Sequence, residues 1–537
     1  MQIPFWIGGE RMSSYRKLVM GFVLVASLSS YAGKMQSYCY MAENGKEVFG
    51  VNETKKMPIA SVSKVLTSLA VLSAMGARTK LYTQFFAVPV SKDLFDVHIK
   101  GSRDPYFARA SMHTLISRLN EMGVKHIRTL TFDENFKYLY NTNQGNSAGR
   151  GFYYDPITGK APIDAPSADF VRRLLLNKKM VMQDYDKSRK NALTDKVVLV
   201  ENPIYDVQKI EPIRSTDFKP AVKAQKGYVS SMELIDIIKY MNWNSNNHVA
   251  NSLFLIAGGK EKVENLYYNK FKVSPEELTF VNGSGQNGDL TGNGRSYTEA
   301  SCSVMVKTMK ALKANLESQH MKLEDAIAVT GGDIGSTIDS AVYKKYFPAK
   351  TVIAKTGTVG VAISLAGLAN TKKGNFFFMY NVEPRMTPGR MKARNAGRFR
   401  ENEAAKSRGQ IGQKLAEEMD SFESGNALGL EITNDKEYKK RKITRTKIGA
   451  RGAPIAYQIR HYDVVNFEDS GDENAPEDAA NDTKVFQGTP AVAPQSAGRT
   501  VSGVIKSIGQ AVSKAAAQVF TTTPKQVVAS ASAPAKK

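Results

Sequence analysis

Residues 58–64 read Pro58-Ile59-Ala60-Ser61-Val62-Ser63-Lys64, and an apolar helical pattern runs from Ser61 to about Met75. Ser61 and Lys64 form an S-x-x-K pair. Positions three apart share one face of a helix, so the lysine amine reaches the serine hydroxyl. The helix N-terminus favours negative charge developing on that oxygen. A serine hydroxyl is a weak nucleophile and needs an adjacent base. A desolvated lysine crowded by a second cation can lose its proton and serve. Alone the pair identifies nothing: Ser14 and Lys17 match it too, and a capping serine beside a solvated lysine is the simpler explanation.

Two further motifs change the weighing. Ser245-Asn246-Asn247 is an S-x-N at a break, around Asn242 to Asn247, between two helical stretches of Val229–Gly258. A hydroxyl and an amide there could relay a proton and grip a substrate amide. A helix cap is the plain alternative, since serine and asparagine both cap well, and Ser424-Gly425-Asn426 has the same pattern. Lys355-Thr356-Gly357 follows Val352-Ile353-Ala354 on an expected strand. Gly357 leaves room for a ligand backbone at the strand edge, and Lys355 and Thr356 can bind a carboxylate; a polar strand end is the alternative. Each motif is weak singly. Together, in the order S-x-x-K, S-x-N, K-T-G, each on the element its role demands, they form the signature of penicillin-binding proteins and class A β-lactamases.

The sequence resembles the low-molecular-mass class C (type-4) penicillin-binding proteins, the D-alanyl-D-alanine carboxypeptidase/endopeptidases. Pro58-Ile59-Ala60-Ser61 resembles that family's lead into its nucleophile, and Ala354-Lys355-Thr356-Gly357-Thr358 its third motif. Lys100-Gly101-Ser102-Arg103-Asp104-Pro105 and the Ser111 helix resemble its inserted domain. Asn282-Gly283-Ser284-Gly285 resembles its D-G-S-G segment, with Asn282 in place of aspartate. The resemblance runs from about Gly33 to about Met419. It implies an α/β (α+β) fold of the penicillin-binding/serine β-lactamase type, an antiparallel sheet flanked by helices, carrying an inserted mixed α/β domain.

The same resemblance implies roles. Ser61 attacks a D-Ala carbonyl and becomes acylated, Lys64 takes its proton, and Ser245 passes the proton to the leaving amine. Asn247 holds the acyl-side amide; Lys355, with Thr356 and Thr358, binds the substrate's terminal carboxylate beside Gly357, which leaves room for the ligand backbone; the backbone N–H groups of Ser61 and Thr358 form the oxyanion hole. β-Lactams would acylate Ser61 and leave slowly. The expected partners are peptidoglycan stem peptides, with β-lactams as inhibitors. No cofactor or metal is expected; the six histidines show no H-E-x-x-H spacing, and His248 reads as a helix residue. A serine β-lactamase and a catalytically dead cell-wall-binding protein are the competing functions. The inserted domain argues against the first, and the full set of motif residues against the second. A secreted basic scaffold is the residual alternative.

Spacing and composition set the organisation. From Ser61 to Ser245 the chain advances 184 positions, far more than the short helical stretch of a β-lactamase. The expected division is a catalytic domain at 33–79 and 229–422, an inserted domain at 80–228, an extension of unassigned role at 423–462 and a disordered tail at 463–537. The insert is shorter than type-4 enzymes carry, so their nested third domain is expected to be missing or trimmed. Hairpin turns are expected at Asn44-Gly45, Thr356-Gly357 and Lys372-Lys373-Gly374, and a polar helix at Gly397–Met419. The 537 residues are 42% hydrophobic and 23% charged, a globular composition.

Two cysteines, Cys39 and Cys302, exclude a disulfide scaffold and a cysteine-rich zinc module; they could pair in an oxidising compartment or stay free and buried. Arg16-Lys17, the apolar run Leu18–Leu28 and small residues to Ala32 form a secretory signal over 1–32, with Met12 a candidate start. Export to the periplasm makes a nucleic-acid partner unexpected despite the net charge of +23. The charge fits an anionic polymer instead, and much of it lies in 385–414 and 436–451. Within the tail, 501–520 has helical apolar spacing and is a candidate for peripheral membrane contact, with a transient helix as the plainer alternative.

Overall fold

The structure is a computed structural model that describes residues 34–138, 168–194, 197–288, 296–371, 374–384 and 396–421. The expected leader, the extension at 423–462, the tail with its 501–520 helix and the Lys372-Lys373 part of a turn lie outside the described residues.

The chain opens with strands β1 (Lys34–Ala42), β2 (Phe49–Val51) and β3 (Met57–Pro58), then a 3-10 turn at Ala60–Val62 that runs into helix α1 (Ser63–Met75). Strands β4 (Tyr82–Ser91) and β5 (Leu94–Lys100), helix α2 (Arg109–Glu121), strand β6 (His126–Phe132), helices α3 (Ala168–Leu176) and α4 (Tyr185–Thr194), and strands β7 (Asp206–Pro212) and β8 (Gln225–Ser230) follow. Helices α5 (Leu234–Asn244) and α6 (Asn247–Ile256) return the chain to its starting region. The short strands β9 (Leu278–Thr279) and β10 (Glu299–Ala300), helix α7 (Cys302–Glu317), strands β11 (Val352–Val359), β12 (Ala362–Thr371) and β13 (Gly374–Glu383), and helix α8 (Ala396–Ser421) complete it.

The principal sheet has the order β11-β12-β13-β1-β2, and every pairing in it is antiparallel. Side chains alternate between its faces. Cys39 faces α7, where it is disulfide-bonded to Cys302. Its neighbour Tyr38 faces the other way and lies under the Lys414 ammonium of α8. Helices therefore cover both faces, and β13 reads Phe376-Phe377-Phe378-Met379-Tyr380 without alternation because every one of those residues is buried. On the α7 face, Val65, Leu66 and Leu69 of α1, Ile237 and Ile238 of α5 and Met305, Met309 and Leu312 of α7 share one apolar core with the sheet. This is the α/β, helix-flanked antiparallel arrangement expected.

Strands β4 to β8 build a second, mixed sheet, β7-β6-β5-β4-β8. The β5–β6 and β6–β7 pairs are parallel, while β4 pairs antiparallel with both β5 and β8. Helix α2 is the crossover from β5 to β6, ended by Gly123 at φ +81°, a conformation glycine adopts without a Cβ clash. Phe85, Val97, Ile99, Leu130 and Ile210 of this sheet form their own core with Met112, Leu115 and Leu119 of α2. The segment's first and last strands, β4 and β8, are neighbours, so it leaves and rejoins the chain at one place.

One expected turn is displaced. Thr356 and Gly357 lie inside β11, and the chain reverses at Gly360-Val361. Gly357 serves close approach rather than turning: a Cβ there would sit 2.9 Å from Ile59 O and 3.2 Å from Ser61 N. The hairpin expected around Asn44-Gly45 joins antiparallel β1 and β2 through a loop from Glu43 to Val48, with Gly45 N–H donating to Ala42 O.

Candidate active site

Three elements converge on Ser61. The 3-10 turn carries it, and Ala60 before it holds φ +51°, in the left-handed region that costs a non-glycine residue about 1–3 kcal/mol. Val62 and Ile59 are fully buried and fix this turn against the core. Lys64, in the first turn of α1, is completely buried. Its Nζ lies 3.1 Å from Ser61 Oγ, 2.7 Å from Asn247 Oδ1 and 2.9 Å from Ser284 O.

The S-x-N segment combines the two explanations its sequence allowed. Ser245 is the left-handed C-cap of α5 at φ +56°, and the Asn246 side chain accepts from Val249 N at 3.1 Å as the N-cap of α6. The capping break swings Ser245 and Asn247 into the site. Ser245 Oγ accepts from Lys355 Nζ at 2.9 Å, and Lys355 also donates to Thr356 O at 2.7 Å. The cationic partner of Ser245 is thus Lys355. His248 is a buried residue of α6.

Burial sets the electrostatics. Desolvation, reinforced by the Lys355 charge, holds Lys64 well below the ordinary lysine value. Desolvation also pushes Lys355 down to about 7. Among the described residues neither buried amine has a carboxylate partner, so the two resist being protonated together.

On β11, Thr356 and Thr358 point to the face opposite Lys355 and Gly357. Thr356 Oγ1 pairs with Thr337 Oγ1 at 2.8 Å, and Thr358 Oγ1 accepts from the Arg408 guanidinium at 3.1 Å. All eight residues read from the sequence, Ser61, Lys64, Ser245, Asn247, Lys355, Thr356, Gly357 and Thr358, thus fall on the three adjoining segments of this one site.

The Asn282-Gly283-Ser284-Gly285 segment closes the rear. Gly283 O accepts from Ser63 Oγ at 3.2 Å and Thr67 Oγ1 at 2.9 Å, and Ser284 O accepts from Lys64. Asn282 Oδ1 accepts from Ser284 N, Ser284 Oγ and Gly285 N at 3.2, 3.0 and 2.8 Å. One side-chain oxygen organises the loop, so asparagine fills an aspartate position without losing the acceptor. Several residues were missed from the sequence. Asn251 takes Ser284 N at 3.0 Å, Asn242 donates to Ser68 Oγ at 3.0 Å, and Thr337 and Arg408 flank the third motif. None sits in a motif. The polar asparagines on otherwise apolar helices α5 and α6 were the one available signal, because buried amides need partners.

The model of the D-Ala-D-Ala carboxypeptidase 3 (S13) family matches residues 31–144 and 216–397, more than half of the chain. The chain belongs to this family. Among solved structures it is similar to Bd3459, a predatory peptidoglycan endopeptidase from Bdellovibrio bacteriovorus, at 28% identity and TM-score 0.60, over 74% of this chain and 95% of that one. The penicillin G acylated form of Bd3459, in complex with immunity protein Bd3460, matches at 28% identity and TM-score 0.58, over 74% and 94%. The predatory endopeptidase Bd0816 from the same organism, in complex with Bd3460, matches at 30% identity and TM-score 0.59, over 74% and 96%. No curated protein matches. The chain has the penicillin-binding/serine β-lactamase-like fold of a class C type-4 enzyme and is a serine-type D-Ala-D-Ala carboxypeptidase/endopeptidase.

Proposed function

We propose that this S13-family peptidase cleaves peptidoglycan stem peptides through an acyl-enzyme on Ser61, with neutral Lys64 as the base. The supporting observation is the partner set of Lys64. Two of its three neighbours, Asn247 Oδ1 and Ser284 O, are carbonyl oxygens that can only accept. A neutral amine has two N–H bonds and one lone pair. With both N–H bonds given to those carbonyls, the lone pair is left for the Ser61 hydroxyl at 3.1 Å. Ser61 can then donate its proton to Lys64 as Oγ attacks the carbonyl carbon.

The tetrahedral oxyanion would be met by the N–H groups of Ser61 and Thr358, on the turn and strand that Gly357 lets approach closely; one such donor is typically worth about 10²–10³ in rate. Ser245, held by Lys355, is positioned to hand its hydroxyl proton to the departing amine while the Lys355 ammonium replaces it. The Asn247 amide, fixed by Lys64, holds the acyl-side amide. Water then attacks the acyl-enzyme, which frees Ser61 and the shortened peptide. The penicillin G acylated relative supports covalent capture of β-lactams by the same serine.

Both bonds of the substrate class are within this reading: removal of a terminal D-Ala, and cleavage of a cross-link made through D-Ala. The endopeptidase relatives and a trimmed insert, which leaves the cleft wide for a branched substrate, favour cross-link cleavage. Residues 80–228 are proposed as the inserted domain and 33–79 with 229–422 as the catalytic one. The leader at 1–32 and the substrate's location favour export to the periplasm. The test is covalent labelling by fluorescent penicillin together with release of D-Ala from an acyl-Lys-D-Ala-D-Ala peptide. The wild type should do both and Ser61→Ala neither. Labelled Ser61→Ala would overturn the assignment of the nucleophile.

A further inference from the structure

Asn282 uses both ends of its amide. Its Oδ1 accepts from Ser284 N, Ser284 Oγ and Gly285 N, and its Nδ2 donates to Gln286 O at 3.0 Å. A flipped amide would set its N–H bonds against those donors, so the orientation is fixed. The residue is buried, and Thr298 Oγ1 pins its backbone, accepting from Asn282 N at 3.2 Å and donating to Asn282 O at 2.8 Å. Each of the next three residues meets the nucleophile's own elements. Gly283 O takes Ser63 Oγ and Thr67 Oγ1, Ser284 O takes Lys64 Nζ, and Gly285 passes so close to Ala60 O that a Cβ would overlap it.

This environment suits an asparagine better than an aspartate. A carboxylate would keep the same donors, which favour its charged form, but it would turn a second acceptor toward Gln286 O. It would also bring a negative charge to the loop whose carbonyl holds Lys64. The surroundings of Lys64 are otherwise neutral or cationic. The 3-10 turn presents Ser61, α6 presents Asn247 and the loop presents Ser284 O. Lys355 of β11 is the one charge acting on it, and among the described residues α5 and α7, which pack beside α1, bring none.

We propose that Asn282 is a positioning residue for the acylation step: it holds the carbonyl that orients Lys64 and, being uncharged, lets that base work at lower pH than an aspartate in its place would. The inference rests on the reading of Lys64 as the base for Ser61. A carboxylate nearby favours the ammonium, and an ammonium has no lone pair to receive the Ser61 proton.

The experiment measures the rate of covalent labelling by fluorescent penicillin at pH 6 and pH 9 on the full chain. Asn282→Asp should slow labelling at least about tenfold further at pH 6 than at pH 9, the scale on which an opposite charge acts on a buried group. Asn282→Ala removes the acceptor and adds no charge, so it should slow labelling about equally at both. An Asn282→Asp loss that is the same at pH 6 and pH 9 would overturn the proposal, because a merely structural role predicts it. Should that variant fail to fold, Asn282→Ala decides alone. An unchanged rate would show that Asn282 positions nothing, and a loss concentrated at pH 6 would show that its neutrality is not what protects Lys64. A wild type that takes no label at either pH would remove the acyl-enzyme reading itself, and this proposal with it.

Discussion

Lys355 donates to Ser245 Oγ at 2.9 Å, across 110 positions of sequence, and so ties the second motif to the third. The same lysine acts on the first motif by charge, lowering the proton affinity of Lys64. The two amines titrate as a pair, so the acid limb of the rate profile belongs to both. Lys355→Met keeps the length and removes the charge. We expect the acid limb of kcat/KM to move to higher pH, since Lys64 then holds its proton more tightly. A stopped pH–rate series on the peptide decides it; an acid limb in the same place would refute the coupling.

Asn247 is the complementary probe. Its Oδ1 lies 2.7 Å from Lys64 Nζ. Asn247→Asp places a carboxylate there, which favours protonated Lys64 and should raise its proton affinity. Activity should fall much more at pH 6 than at pH 9. Equal loss at both would assign Asn247 to substrate binding alone.

Much of this site was legible because each motif states its own chemistry and the expected order of elements held. Thr356-Gly357 misled because a glycine after a polar residue looks like a turn, whereas Gly357 is needed where β11 passes the Ser61 turn. Arg408 was illegible: α8 reads as a polar helix, and only tertiary packing brings one of its arginines to Thr358. The Cys39–Cys302 bond was left open by the sequence because 263 positions separate the two residues, and only the register of β1 against α7 shows that they meet.

Gly285 tests how tightly the nucleophile's turn is held. It has φ +72°, and a Cβ would fall 1.9 Å from Ala60 O, a backbone atom that cannot step aside. Gly285→Ala should displace the Ala60–Ser61 peptide. A misplacement near 1 Å costs about 10²-fold, so penicillin acylation should slow by at least about that much. The rate of covalent labelling measures it, and a rate within threefold of wild type would show that the turn does not depend on this contact.

Cys39 and Cys302 fasten β1 to the start of α7, on either side of the loop that contains Ser61 and Ser245. Removing a native disulfide typically costs about 2–5 kcal/mol. The Cys39→Ala/Cys302→Ala double variant should melt at lower temperature while retaining Ser61 labelling at 25 °C, because neither cysteine contacts the catalytic groups. Unchanged melting in the oxidised and reduced wild type would show that the bond contributes nothing to stability.

Asp104 sits where the inserted segment meets the principal core. It is buried, its Oδ1 accepts from Tyr106 N at 2.9 Å, and Tyr106 packs into that core with Tyr240. Desolvation outweighs the Tyr106 hydrogen bond and raises the carboxyl to about 7. In the unfolded chain the group titrates near 3.9. Between these values the native protein holds a proton that the unfolded chain has released, so stability falls as pH rises from about 4 to about 7 and is level above. Asp104→Asn keeps the oxygen that Tyr106 uses and removes the titration. The variant should therefore gain on wild type as pH rises, with a difference in Tm that is small near pH 5 and largest at pH 8. Thermal melts of both proteins at the two pH values check this. The same difference at pH 5 and pH 8 would show that the Asp104 carboxyl does not titrate in this range.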